Sequence, residues 1–301
     1  MTPCTAPERD TKMKMRNLRA LAALGLALAG IGSAAAATSW NLTGGGSETG
    51  ALAAGNTRSY TAGGNALTVS AWSNTKNSTT AANAYIEKAY LASYSGGLGV
   101  TNRDGVSGGG DTYEGTIAQT SVPGHTMDNE LRYDSMLFDF GAGNAFQLKS
   151  VTVGWWQTDS DLTILAYTGT GTPTFTDSSA SQGYSSLLGS GWSVVKSSAG
   201  TTGTAHYANA ANGGVAQSSS AAGYKPLPVN DLNISARYWL VGALNTLVQA
   251  LPSGATVGVG NDYVKIAGVG GDFRGVVPEP AGFMLLGVAL AGLLIHRPRK
   301  A

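Results

Sequence analysis

Residues 38 to 276 predict an all-β protein, an antiparallel β-sandwich of jelly-roll type, framed by an N-terminal signal peptide and a short C-terminal hydrophobic helix. Three observations predict the sandwich. Apolar residues recur at a period of two, which places alternate side chains on opposite faces of a strand. Clusters of Gly, Asn, Asp and Ser separate these segments, as turns require. Long stretches of helical period are nearly absent between the two ends of the chain. Eight or more short strands of this kind bury their apolar faces most simply as two stacked sheets.

The strands follow in order. Leu67 to Trp72 is a β-branched and aromatic run, and Tyr85 to Tyr94 is a second, longer one. From Ser135 to Phe140, the apolar Met136, Phe138 and Phe140 alternate with Ser135, Leu137 and Asp139. A Gly-Ala-Gly-Asn turn separates that strand from Phe146 to Trp156, where Val151, Val153 and Trp155 are expected on one face and Thr152 on the other. Leu162 to Tyr167 follows across Asp159-Ser160-Asp161, which reads as a hairpin connection. Trp192 to Lys196, Tyr238 to Ala243 and Tyr263 to Val269 complete the set. Thr101 to Thr116 and Ser197 to Ala222 are low-complexity loops, and no fixed-period repeat is present.

Composition narrows the class further. Glycine is high, at 43 of 301 residues, yet six Trp and twelve Tyr supply more apolar surface than a disordered chain carries. The 38–276 body holds 11 Lys and Arg against 15 Asp and Glu, four units negative, and shows no basic cluster. A nucleic-acid partner is therefore not expected, because phosphate neutralisation needs clustered cations. The single cysteine, Cys4, lies in the predicted leader, so the body has neither disulfides nor thiolate metal sites.

The two ends carry a different signal. Lys12, Lys14, Arg16 and Arg19 precede the apolar run Ala20 to Ile31 and the small-residue site Ala35-Ala36-Ala37. That order is a signal peptide with Thr38 as the first mature residue, and residues 1–37 form the leader. Met13 or Met15 would begin a signal of more ordinary length. At the other end, Val277, Pro278, Glu279 and Pro280 lead into fifteen uncharged residues, Ala281 to Ile295, and a basic stop containing Arg297, Arg299 and Lys300. A helix of that length is ~22 Å long against ~30 Å of hydrocarbon, which suits transient membrane retention better than a lasting anchor. The cations would hold the end of the tail in the cytoplasm.

Residues 277–301, in the order Val-Pro-Glu-Pro, short hydrophobic helix, basic end, resemble the PEP-CTERM sorting signal of Gram-negative bacteria. That resemblance implies export by the Sec machinery, cleavage by signal peptidase, and a brief tether in the inner membrane. It further implies recognition of the tail by the membrane peptidase exosortase, and delivery to the cell surface or extracellular matrix of exopolysaccharide-making cells. Within the body, Ala71-Trp72-Ser73-Asn74-Thr75, His125-Thr126-Met127-Asp128-Asn129, Ser160 to Tyr167 and Tyr238 to Ala243 are similar to landmarks of an exosortase-dependent surface protein family. No catalytic residue comes with that resemblance.

Other chemistries have weaker footholds. Gly105-Val106-Ser107-Gly108-Gly109 fits the serine-hydrolase string, with His125 and Asp128 downstream, but polar glycine-rich flanks replace the strand and helix that a nucleophile elbow needs. Asp128, Glu130, Asp134 and Asp139, with Asp159 and Asp161, offer oxygen ligands for a cation such as Ca²⁺, while the spacing lacks the further ligands and the glycine of a calcium loop. Trp155 and Trp156 point to opposite faces of one strand, which would leave one of them free as a flat platform for sugars. Asn41, Asn77 and Asn233 stand in glycosylation-acceptor strings, which carry little force in a bacterial protein. The expected function is a non-enzymatic surface or matrix protein without cofactor or resident metal; a carbohydrate-binding module and a secreted hydrolase are the alternatives.

Overall fold

Every strand pairing among the described residues of the computed structural model is antiparallel, and the strands form two stacked sheets, as expected from the sequence. The structure describes residues 37–44, 55–74, 85–94, 96–102, 125–130, 132–158, 160–175, 182–195, 206–207, 227–230, 232–248 and 262–274. All of these fall within one compact unit, Ala36–Arg274.

The first sheet runs in the order β13 (Leu227–Pro228), β9 (Phe146–Thr158), β15 (Asp262–Phe273), β6 (Gly97–Thr101), β5 (Tyr90–Tyr94). Its spine is β15. One side of β15 pairs with β9 along its whole length, and the other side takes β7 (Met127–Asp128), β6 and β1 (Ala37–Asn41) in succession. The second sheet runs β11 (Trp192–Val194), β10 (Asp161–Tyr167), β14 (Tyr238–Ala243), β8 (Asp134–Asp139), β3 (Asn65–Asn74), β2 (Thr57–Ala62). It also includes β12 (His206–Tyr207) beside β10 and β4 (Ile86–Lys88) beside β3. The β2–β3 hairpin closes on Gly63 and Gly64, whose φ values of +57° and +80° are the conformation a two-residue turn demands.

The main core lies between the sheets. Leu67, Val69, Met136, Phe138, Ile164, Trp239 and Val241 from one sheet meet Leu148, Val151, Val153, Val264, Ile266 and Val269 from the other. The outer face of the second sheet is buried as well. Phe175 and the 3-10 turn Tyr184–Ser190 pack over it, so Trp72, Leu165, Phe175, Tyr184, Leu187, Trp192 and Leu240 form a second apolar cluster. Phe175 stacks on Trp192 with 6.0 Å between centroids and 6° between planes. Burial on both faces explains why β10 and β14 read as continuous apolar runs rather than as strict alternations.

The structure corrects three local expectations. The Asp159-Ser160-Asp161 connection is not a hairpin: β9 pairs in the first sheet and β10 in the second, so the chain crosses the sandwich there. Tyr85 to Tyr94 is not one strand either. It breaks at Ala89, with β4 in the second sheet and β5 in the first. The Asn56 amide donates to the carbonyls of both Ala71 (2.6 Å) and Ala89 (3.0 Å), which pins that corner.

The third correction concerns face parity in β9. Lys265 faces Trp155 while Ile266 faces Val153, which leaves Gly154 as an extra, bulged residue. The alternation therefore reverses, and Trp156 rather than Trp155 joins Val151 and Val153 against the main core. Glycine is required at the bulge, because a Cβ on Gly154 would lie 2.3 Å from the Gly96 carbonyl oxygen.

Candidate functional sites

Of the residues expected to direct sorting, Ala37 and Thr38 are in β1, paired with Asp272 and Gly271. Ala35, Val277, Pro278, Glu279, Pro280, Arg297, Arg299 and Lys300 lie outside the described residues, as do Asp159, Asn77 and the Gly105–Gly109 string.

The expected acidic group divides in two. Asp139, at the far end of β8 from Asp134, forms a two-pronged ion pair with Arg237, at 2.7 and 2.8 Å. Asp128, Asn129, Glu130 and Asp134 gather at the opposite end of the sandwich and are joined there by Asp161 and Asp262. Asn129 is the centre of the group. Its amide donates to Asp262 Oδ2 (2.7 Å) and to the Leu244 carbonyl (3.0 Å), and its Oδ1 accepts the Asp262 N–H (2.7 Å). Asp262 Oδ1 accepts the Asp161 N–H at 2.7 Å.

Both Asp128 oxygens are also engaged. Oδ1 accepts the Glu130 N–H (3.0 Å) and Oδ2 accepts the Thr126 hydroxyl (3.4 Å). Burial and the neighbouring Asp134 push the Asp128 carboxyl well above the usual carboxylate range. Glu130 in turn accepts the Tyr263 hydroxyl. These carboxylates act chiefly as acceptors for loop N–H and O–H groups, and so tie together the chain reversals at this end of the sandwich. Among the described residues, no group of three or more His, Cys, Asp or Glu is arranged to hold a metal ion.

The tryptophan pair is half-buried on both faces. Trp156 packs against the main core. Trp155 carries the Lys265 ammonium 5.1 Å from its ring centroid, and the same ammonium lies 4.3 Å from the Tyr94 centroid. The His125 ring packs on the Tyr94 ring at 4.5 Å. Burial, aided by the positive Lys265, lowers the His125 pKa to about 4, so the imidazole is neutral at pH 7. Trp40, Trp72, Trp192 and Trp239 are buried. Of the asparagines in acceptor strings, Asn41 Oδ1 accepts from Thr43, and Asn233 Oδ1 accepts the amide of the sequence-distant Gln147.

Sequence reasoning missed Asn129, Asp262 and Lys265. A lone Asn beside an Asp, or a polar residue opening an apolar run, carries no periodic signal. The isolated Gly154 within an apolar strand was the one local sign that Trp155 and Trp156 would exchange faces. No protein family, curated protein or solved structure matches this chain.

Proposed function

We infer that the protein is an exported envelope or extracellular-matrix component with a structural or interaction role, brought to the cell surface by its two terminal signals. The leader directs Sec export and is removed by signal peptidase at Ala37 and Thr38. The C-terminal tail then holds the β body at the inner membrane until an exosortase-type peptidase releases it near Pro278-Glu279-Pro280. Exopolysaccharide of the surrounding matrix is the expected neighbour of the released body, and its non-enzymatic role is exerted there.

The observation that carries this reading is how closely the folded unit fits between the two signals. Strand β1 begins at Ala37, and β15 ends at Phe273, four residues before Val277. A folded body thus fills the interval that the leader and tail leave between them. The engagement of both oxygens of Asp128 and of Asp262 in internal hydrogen bonds favours a structural role for the buried acids.

The test is replacement of Pro278-Glu279-Pro280 by three alanines, followed by intact-mass analysis and cell fractionation. Retention of the tail and accumulation in the inner membrane are expected. Unchanged mature mass with unchanged surface delivery would sink the sorting reading.

A further inference from the structure

We propose that β2 is a self-association edge, which pairs antiparallel with β2 of a second copy of this chain and joins the two second sheets into one continuous sheet. Pairing of this kind is a property of the folded body and does not depend on the sorting role of the tail.

β2 is the last strand of the second sheet. One edge pairs with β3 from Thr57↔Ser70 to Ala62↔Asn65, and among the described residues nothing pairs with the other. The turn decides which groups that other edge offers. Gly63 and Gly64 both have positive φ, the type I′ geometry, so Ala62 and Asn65 close the turn as a hydrogen-bonded pair. Hydrogen-bonded pairs alternate along an antiparallel ladder, which turns the backbone groups of Arg58, Tyr60 and Ala62 towards β3. Those of Thr57, Ser59 and Thr61 point away from the sheet, and these three residues are exposed.

The corresponding edge of the first sheet is engaged within the chain. There Leu91 of β5 donates its N–H to the Gly55 carbonyl at 2.8 Å, and its own carbonyl accepts from Arg58 Nε at 3.2 Å. β11 and β13, the remaining outermost strands, are only three and two residues long. Edges are commonly guarded by Lys, Pro, a bulge or an inward-turned charge. β2 has no Lys, no Pro and no break in its register with β3. Its one charge, Arg58, shares the core-side face of the strand with Tyr60 and selects the partner.

The run Thr57-Arg58-Ser59-Tyr60-Thr61 is self-complementary about Ser59. With a two-fold axis there, the outward groups of Thr57, Ser59 and Thr61 meet those of Thr61, Ser59 and Thr57 of the second copy, in about six hydrogen bonds. Arg58 then lies opposite Tyr60 of the second copy, whose ring attracts the guanidinium, and Thr57 lies opposite Thr61, a favourable cross-strand pair. A shift of two residues in one direction sets Arg58 against Arg58; in the other it leaves Thr57 opposite the turn residue Gly63. A foreign strand with a basic residue opposite Arg58 would repel the guanidinium, and one with an aliphatic residue would desolvate it. A second copy therefore fits this edge where an arbitrary strand does not.

Cysteine cross-linking tests both the pairing and its register, because Cys4 is the only natural thiol. In full-length Cys4→Ser chains, Ser59→Cys should oxidise to a disulfide-linked dimer, since the Cα atoms of a hydrogen-bonded pair lie ~5.5 Å apart. Thr57→Cys and Thr61→Cys chains carrying different tags should give a mixed disulfide and little of either homodimer, because like positions are offset by four residues, ~13 Å along the strand. Absence of either expected product overturns the proposal. Homodimers of Thr57→Cys or Thr61→Cys in the amount seen for Ser59→Cys would show association without this register, and overturn it as well.

Ser59→Pro, added to the Thr57→Cys and Thr61→Cys chains, removes an outward N–H and no bond to β3. The chain should melt at an unchanged temperature while the mixed disulfide is lost. Undiminished mixed disulfide in the proline chains would count against the pairing decisively, and the cysteine yields without proline decide the matter even if the proline chain does not fold.

Discussion

The two ends of the sandwich are closed by opposite chemistry. At one end Trp40, Phe140, Phe146 and Phe273 pack ring against ring, with Phe140 and Phe146 stacked at 3.9 Å. At the other, Asp128, Asn129, Glu130, Asp134, Asp161 and Asp262 join chain reversals by hydrogen bonds. The aromatic end gathers both terminal strands and the Phe140-to-Phe146 turn, whose contacts need area and no direction. The polar end must hold the backbone groups of several short loops, and only directional acceptors satisfy those. Sheet edges far apart in sequence can be joined by bulk apolar surface, whereas loops that leave the sheets need specific partners.

The largest way to break this contrast is Trp40→Ala. Loss of a buried indole from the ring cluster should cost about 3 to 5 kcal/mol in denaturant unfolding. The cost should be similar at pH 5 and pH 8, because the rings carry no titrating proton. A strong pH dependence of that difference would show that the aromatic end is coupled to the charged groups around it. Asn129→Ala should come next, at about 3 kcal/mol, because it strands the buried Asp262 N–H and removes a donor from its carboxylate. A change below about 1 kcal/mol would mean that water replaces the amide and that the polar end is looser than its geometry.

The remaining predictions use pH. His125 is held at about 4 when folded and returns to about 6.5 when unfolded, so the unfolded chain binds the extra proton between those values. Stability should fall as pH drops from 6.5 towards 4, and His125→Phe should flatten that slope in melting curves. Asp128 has the opposite sign. Its raised folded pKa means that stability is lost as pH rises through that value, so Asp128→Asn should raise the melting temperature at pH 7 by a few degrees and change little at pH 3. A lower melting temperature at pH 7 would show that the charge is offset by partners in the cluster.

Much of the scaffold was legible because strand periodicity is local. Leu67 to Trp72, Ser135 to Phe140 and Tyr238 to Ala243 fall on β3, β8 and β14, and Met136, Phe138 and Phe140 all face the main core. β1 and β2 were missed. Ala37–Asn41 and Thr57–Ala62 are short and mostly polar, and Trp40 becomes a core residue only when β15 arrives from the other end of the body. Within the polar cluster, Asp128, Glu130 and Asp134 were legible as neighbours in sequence. Asp262 and Asn129 were not, because they come together across 133 residues.

By itself the sequence determined the β class, the charge balance that argues against nucleic acid, the absence of cysteine from the body, and the leader and tail expected to address it. Those follow from composition and short-range order. The tertiary structure alone decided the sheet to which each strand belongs, the reversal that turns Trp156 inward at Gly154, and the pairing of the first strand with the last. The physical reason is that alternation defines the faces of a strand, whereas its neighbour, register and bulges are set by packing energies between residues more than a hundred positions apart.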